Sequence, residues 1–277
     1  MHNFDSMKKN LLDLVPLARG GQKAVYSATH PEHGDVVLKL FFAMDARSQR
    51  EIDIVTKYKF DCVPTIYETG NTIYEGIETL FLIEQRIDGI ELHKRISSGN
   101  YFNLKEAVTF LEQGLQFIQE LEKKKIVHRD IKPANIIISN DNKVYFLDFG
   151  IARILGTLSL TKSEAILGPH TPGYAAPEQF NNLKSDIDSR ADLFSIGVVT
   201  YECLSGNNPF SEEAGSHLEI LQRTETITPV KFPIEGDTQQ QFMGLLSSLM
   251  GKLPSRRPSG ANQAIIWLNG AKSTLQF

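Results

Sequence analysis

The apolar positions along the chain follow two different rhythms. From residue 11 to about 87 they come in short β-rich runs. LLDLVPLA (11–18), AVYSATH (24–30) and DVVLKLFF (35–42) are such runs, and HPEHGD forms a turn between the last two. TIYETG, NTIYEGI and TLFLIEQ continue the series. Between them, DARSQREIDIVTKY sets Ile52, Val55 and Tyr58 at helical spacing, with Asp45 placed to cap. After Gly89 the period becomes 3.6. NLKEAVTFLEQGLQFIQELEKKK aligns Leu104, Val108, Leu111, Leu115, Ile118 and Leu121 on one face. Asn103 and Glu106 stand at capping-box spacing, and Lys123, Lys124 and Lys125 fall in the last turn, where cations suit the helix dipole. RADLFSIGVVTYECLSG is apolar on most faces and predicts a central helix that Gly206 stops. The pattern predicts an α+β chain of two lobes. Residues 1–87 would form a small antiparallel sheet with one main helix, and 88–277 a larger, mostly helical lobe. A hinge near Gln85 to Gly89 and a ligand cleft beside it would follow.

Composition narrows the function. The 277 residues are 41% apolar, enough for a large core. A net charge of −4 argues against nucleic acid as a partner, because that would need a basic surface. No apolar run approaches the length of a membrane segment. MHNFDSMKKN lacks the apolar stretch of an export signal, and two cysteines are too few for a disulfide framework or a zinc site. These features predict a cytoplasmic globular protein.

The chemistry concentrates in VHRDIKPANIIISNDNKVYFLDFG (127–150), where Asp, Lys, Asn and His interrupt apolar runs. Polar groups beside buried strands are costly unless they serve a purpose. His128-Arg129-Asp130, Lys132 and Asn135, followed by Asp148-Phe149-Gly150, make this segment resemble the protein kinases, most closely the bacterial eukaryotic-like Ser/Thr kinases. The resemblance extends from about residue 11 to 268. It implies ATP and Mg²⁺ as cofactors, with Mn²⁺ as an alternative ion, and a protein Ser or Thr hydroxyl as acceptor. Asp130 would orient that hydroxyl and accept its proton, and Lys132 would stabilise charge on the transferring group. Asn135 and Asp148 would supply hard oxygen ligands to the metal. Lys39 matches the strand lysine on the α- and β-phosphates, and Glu51 the helix glutamate that pairs with it. Gly20, Gly21, Val25, Val37, Gln85, Ile87 and Ile137 would line the nucleotide. His128, Arg129, Phe149 and Asp192 would brace the loop, and Glu178 of APE would pair with Arg257.

Three departures from the family pattern stand out. The Gly-rich loop retains only Gly20 of its three glycines, with Gly21 as an extra. Lys23 stands where no side chain is usual and reads as an exposed loop lysine, with contact of its ammonium to phosphate as the alternative. Counting back from Gly89 puts Glu84 at the gatekeeper position, or Ile83 if the register slips by one. An acid there would be partly desolvated and would need a partner. Glu91 reads equally as a ribose contact or an exposed helix start. The third departure is GPHT in the activation segment. Thr171 still sits where Ser/Thr-specific members place a threonine, while Thr161 and Ser163 match offsets that are autophosphorylated in bacterial receptor-type kinases. Their modification, with Arg129 receiving one phosphate, would involve a transient homodimer. The alternatives are a nucleotide-binding pseudokinase, suggested by the altered loop, and a small-molecule kinase, which the APE segment and Arg257 oppose.

Overall fold

The computed structural model describes all residues except 1, 5–6, 8–9, 21–22, 43–51, 55, 150–152, 155–170 and 181–186. The chain divides into two compact units, one of residues 1–88 with 147–150, the other of residues 89–146 with 151–277. The boundary thus falls one residue beyond the expected 87, and the segment around Asp148 belongs with the first unit.

Among the described residues the first unit holds a sheet of β1 (His2–Asn3), β2 (Leu12–Arg19), β3 (Lys23–His30), β4 (Gly34–Phe41), β5 (Ile66–Tyr74) and β6 (Ile77–Gln85), ordered β1-β5-β6-β4-β3-β2. TIYETG and NTIYEGI merge into the single strand β5, because Gly70 is no break: a Cβ there would meet the Phe81 ring at 3.0 Å. The true turn is Glu75-Gly76, both with positive φ (50° and 80°), the conformation that a two-residue hairpin requires. One strand departs from the antiparallel expectation, since β1 pairs in parallel with β5. Of the predicted helix around Ile52, residues 52–54 and 56–58 are described; 52–54 and 56–57 are helical, and Tyr58 lies just past them.

Side chains alternate along a strand, so register decides which face each residue joins. Leu38 lies opposite Ile83 and Leu40 opposite Phe81. These residues build one apolar face with Ala24, Ala28 and Val36. Phe41, Leu80 and Leu82 point the other way, against Ile52. Phe4, Met7 and Leu11 cover the first face. Their spacing suits one side of a helical turn, and Leu11 N donates to Met7 O at 3.1 Å. Sequence reading used this segment only to dismiss an export signal.

The second unit is mainly helical. Its elements are β7 (Gly89–Glu91), α1 (Leu92–Ser97), α2 (Leu104–Lys123), β8 (Ile126–Val127), β9 (Ile136–Ser139), β10 (Val144–Phe146), β11 (Arg153–Ile154), α3 (Pro177–Phe180), α4 (Arg190–Ser205), α5 (His217–Thr226), α6 (Gln241–Leu249) and α7 (Ala261–Lys272). The capping box of α2 is reciprocal: Glu106 N donates to Asn103 Oδ1 at 2.9 Å, and Asn103 N to Glu106 Oε2 at 3.0 Å. The lysine run departs slightly from its expected place. Lys123 ends α2, and Lys125 has already turned left-handed at φ 56°. Helix α4 is buried on nearly every side and packs closely on α2, where Gly114 leaves no room for a Cβ beside Ile196. Gly206 ends α4 at φ 82°, and any Cβ there would come within 2.3 Å of the Tyr101 ring. The ring of Phe117 on α2 stacks on Phe146 at 4.3 Å, which fixes the β9–β10 hairpin against that helix.

The covering segment makes a direct prediction. The Phe4 ring meets Tyr74 edge-on at 4.8 Å. Phe4→Ala should lower stability by about 3 kcal/mol, the usual cost of deleting a buried ring, and urea unfolding would measure it.

Candidate active site

The site in the second unit begins with a buried carboxylate. Asp192, in the first turn of α4, is fully buried and accepts the backbone N–H of both His128 and Arg129 at 2.8 Å. Burial raises its carboxyl and the two N–H donors lower it, which together leave it at about 7. The clamp holds Arg129 in a left-handed conformation, φ 70°, that a non-glycine residue rarely adopts. His128 is buried, with its ring edge-on to Phe117 at 6.0 Å.

Just beyond this bend, the Asp130 carboxylate is surrounded by donors. Lys132 Nζ donates to Oδ1 at 3.0 Å and lies 2.8 Å from Oδ2. Thr171 Oγ1 donates to Oδ1 at 2.7 Å, and Lys132 donates to that same hydroxyl at 2.8 Å. Asn135, at the end of a 3₁₀ turn that Pro133 opens, donates its amide to Oδ2 at 2.8 Å and to the Asp130 carbonyl at 3.0 Å. That leaves the Asn135 Oδ1 as the oxygen not turned toward Asp130. The structure therefore brings Asp130, Lys132, Asn135 and Thr171 into one cluster.

Behind the cluster lie two braces. Arg257 grips Glu178 through both oxygens, at 2.6 and 2.9 Å, and also donates to the carbonyls of Arg190 and Gly251. The pair is shielded from water, and the planar guanidinium matches the carboxylate. Gln179 was not singled out from the sequence. Its amide donates to the Arg129 carbonyl at 3.0 Å and its oxygen accepts from Ala176 N at 3.0 Å, so it ties the APE segment to the bend at Arg129. A lone Gln after APE carries no spacing signal that could have revealed this. Nearby, Tyr174 donates to Glu202 Oε2 at 2.7 Å, and burial raises Glu202 to about 6 despite that bond. Glu91 stands at the N-terminal cap position of α1 without a side-chain cap hydrogen bond, and its carboxylate pairs with Lys94 at 2.6 Å. Ile137 on β9 lies opposite Glu91.

In the first unit, register puts Val25 opposite Lys39, and Val37 opposite Glu84. All four side chains share the face that carries Leu82. Ile83 belongs to the opposite face, so it is Glu84 that stands beside the lysine. Lys39 Nζ lies 2.9 Å from Glu84 Oε1, with both side chains less than a tenth exposed. A buried acid needs a compensating charge, and here Lys39 supplies one. Gln85 N donates to the Thr65 carbonyl at 2.8 Å, and Ile87 follows just beyond β6. Gly20 N donates to the carbonyl of Lys23 at 2.9 Å, which closes the loop between β2 and β3. Lys23 is not the exposed loop lysine the sequence suggested: it opens β3, is half-buried, and its ammonium pairs with the Asp148 carboxylate. Asp148 sits at φ 64°, and the buried Phe149 ring stacks on Phe60 at 5.9 Å. Gly21, Glu51, Thr161 and Ser163 lie outside the described residues.

The donor chemistry fits a hard divalent cation. Among the described residues no cluster of three His, Cys, Asp or Glu side chains could hold a metal by itself. Mg²⁺ needs only one or two protein oxygens when substrate phosphates supply others, and the Asp148 carboxylate and Asn135 amide are oxygens of that kind.

The Arg257 brace and the buried Glu202 each carry a prediction. Arg257→Ala would leave Glu178 buried without its main partner and should cost about 3–5 kcal/mol, measurable by chemical denaturation. Glu202 has a folded-state value above its ordinary 4.5. The native state therefore binds the extra proton more tightly than the unfolded chain. Stability from this group is full below about pH 4.5 and declines as pH rises through about 6, a change of about 2 kcal/mol. Glu202→Gln should flatten that part of a stability-versus-pH curve.

The sequence profile of the protein kinase domain matches residues 14–266. A probable serine/threonine-protein kinase of Corynebacterium efficiens is 30% identical over 223 residues, covering 77% of this chain and 33% of the relative. One from Streptomyces coelicolor is 31% identical over 204 residues, 70% of this chain and 30% of the relative. The serine/threonine-protein kinase PknB of Mycobacterium tuberculosis is 30% identical over 208 residues, 72% of this chain and 33% of the relative. The chain thus spans about a third of the length of the curated relatives it matches. Among the described residues no helix is long and apolar enough to cross a membrane. The profile match over most of the chain, on a β-sheet unit and a helical unit, shows that it belongs to the protein kinase domain family.

Proposed function

We propose that this chain transfers the γ-phosphate of ATP to serine and threonine hydroxyls of proteins, with Mg²⁺ as the working ion and Mn²⁺ as a substitute. The observation that carries this reading is the Asp130 cluster, in which one carboxylate is met by Lys132, Asn135 and Thr171 within 3.0 Å. A hydroxyl already donates to Asp130 Oδ1, so that oxygen is suited to orient an acceptor hydroxyl and take its proton. Lys132 would offset negative charge as it develops on the transferring group. Lys39 would hold phosphate oxygens, and the acid of Glu84 beside it would set where its ammonium rests. Asp148 and Asn135 would hold the divalent cation, which when bound neutralises oxygens of the phosphate chain.

Lys132 with Thr171 favours Ser/Thr over Tyr acceptors, and the names of the relatives agree with that preference. The Glu178–Arg257 brace favours a protein over a small-molecule acceptor. The reaction belongs in the cytoplasm, where ATP and Mg²⁺ are supplied. Thr161 and Ser163 are the candidate autophosphorylation sites, reached through a transient homodimer. A second reading, a nucleotide-binding member that does not transfer phosphate, draws on the Lys23–Asp148 contact.

Intact mass after incubation with ATP and Mg²⁺ separates the two readings. The expected result is gain in steps of about 80 Da, one phosphate each, absent in Asp148→Asn and Lys39→Met. Fragmentation should place the phosphates on Thr161 and Ser163. No gain, together with no transfer to an added Ser/Thr protein substrate, would favour the second reading.

A further inference from the structure

Lys23 opens β3 opposite Phe41, and Val25 stands opposite Lys39. Alternation therefore puts Lys23, Val25, Lys39 and Phe41 on one face of the sheet. Each of the two lysines on that face already meets a carboxylate: Lys39 that of Glu84, and Lys23 that of Asp148. The second contact is not a loose surface pairing. The Lys23 and Asp148 side chains are 31% and 27% exposed, and the ammonium reaches the Oδ2 atom of Asp148. Glycine, the residue the kinase pattern places at 23, could make no such contact.

A carboxylate that carries an ammonium is a poorer ligand for a divalent ion, because two like charges would be brought together in a partly shielded site. The lysine stem is long and flexible enough to swing away, so the exchange needs only a side-chain rotation.

We propose that Lys23 sets the metal affinity of the site, a tethered single positive charge that competes with the divalent ion for Asp148. It raises the metal concentration the site requires. This rests on the assignment of Asp148 as a metal-holding carboxylate.

The test is Mn²⁺ titration of the nucleotide-free chain, with free ion counted by electron paramagnetic resonance. Lys23→Met keeps the stem and removes the charge, and should bind Mn²⁺ about tenfold more tightly, the effect of deleting one nearby like charge. Lys23→Arg keeps the charge and should bind as the parent does. Adding Asp148→Asn to Lys23→Met should abolish the gain. Melting curves establish that each variant is folded, and Lys23→Gln replaces the Met variant if packing suffers.

Equal or weaker Mn²⁺ binding in Lys23→Met overturns the competition and leaves the Asp148 assignment standing, whereas no measurable binding in either protein overturns both. A gain that survives Asp148→Asn overturns both.

Discussion

The bend through His128 and Arg129 depends on one carboxylate with no access to water. Asp192 accepts two consecutive backbone N–H groups, and these fix the path of the chain through His128 and Arg129. Each of its two oxygens takes one of these N–H groups, so neither acceptor is shared. The left-handed Arg129 is a consequence, since such a backbone state persists only when its surroundings over-determine it. Gln179 adds a tie from the APE side to the Arg129 carbonyl. The Asp130 cluster inherits its order from that fixed bend.

In the first unit, strand register has the corresponding role. Because β3, β4 and β6 are locked by successive pairings, a shift of one residue would send Lys39 and Glu84 into the apolar face with Leu38 and Ile83. The contents of the two faces make such a slip very costly. Phe4, Met7 and Leu11 seal one of them, which leaves the charged pairs to the other. The ion pairs are therefore outcomes of apolar patterning as much as of electrostatics.

Much of this was legible in the sequence. The α2 helix with its capping box and the α4 helix with its glycine stop follow from period and caps, which are local properties. The HRD and DFG segments are legible because their chemistry constrains residue type at fixed spacing. What was not legible depends on long-range geometry. That Lys23 reaches Asp148 spans more than a hundred residues, and no periodicity encodes it. Lys39 as the partner of Glu84 requires the β4–β6 register, which sequence spacing left uncertain by one position. The covering role of Phe4 and Met7 was hidden because a short polar-rich segment with two apolar residues resembles a loop until the surface beneath it is known. Gly70 misled in the opposite direction: it reads as a strand breaker, yet its missing side chain makes room for Phe81.

The parallel pairing of β1 with β5 has a kinetic consequence. His2 and Asn3 find their partners at Thr72 and Ile73, some seventy residues later in the chain. On a ribosome they are made well before the strand they join, and loop-closure entropy opposes so distant a contact until the hairpins between have formed. The sheet must therefore be largely assembled before its covering segment can dock. Until then the apolar patch formed by Val36, Leu38, Leu40 and Phe81 is bare, a surface of the kind chaperones bind and aggregation exploits.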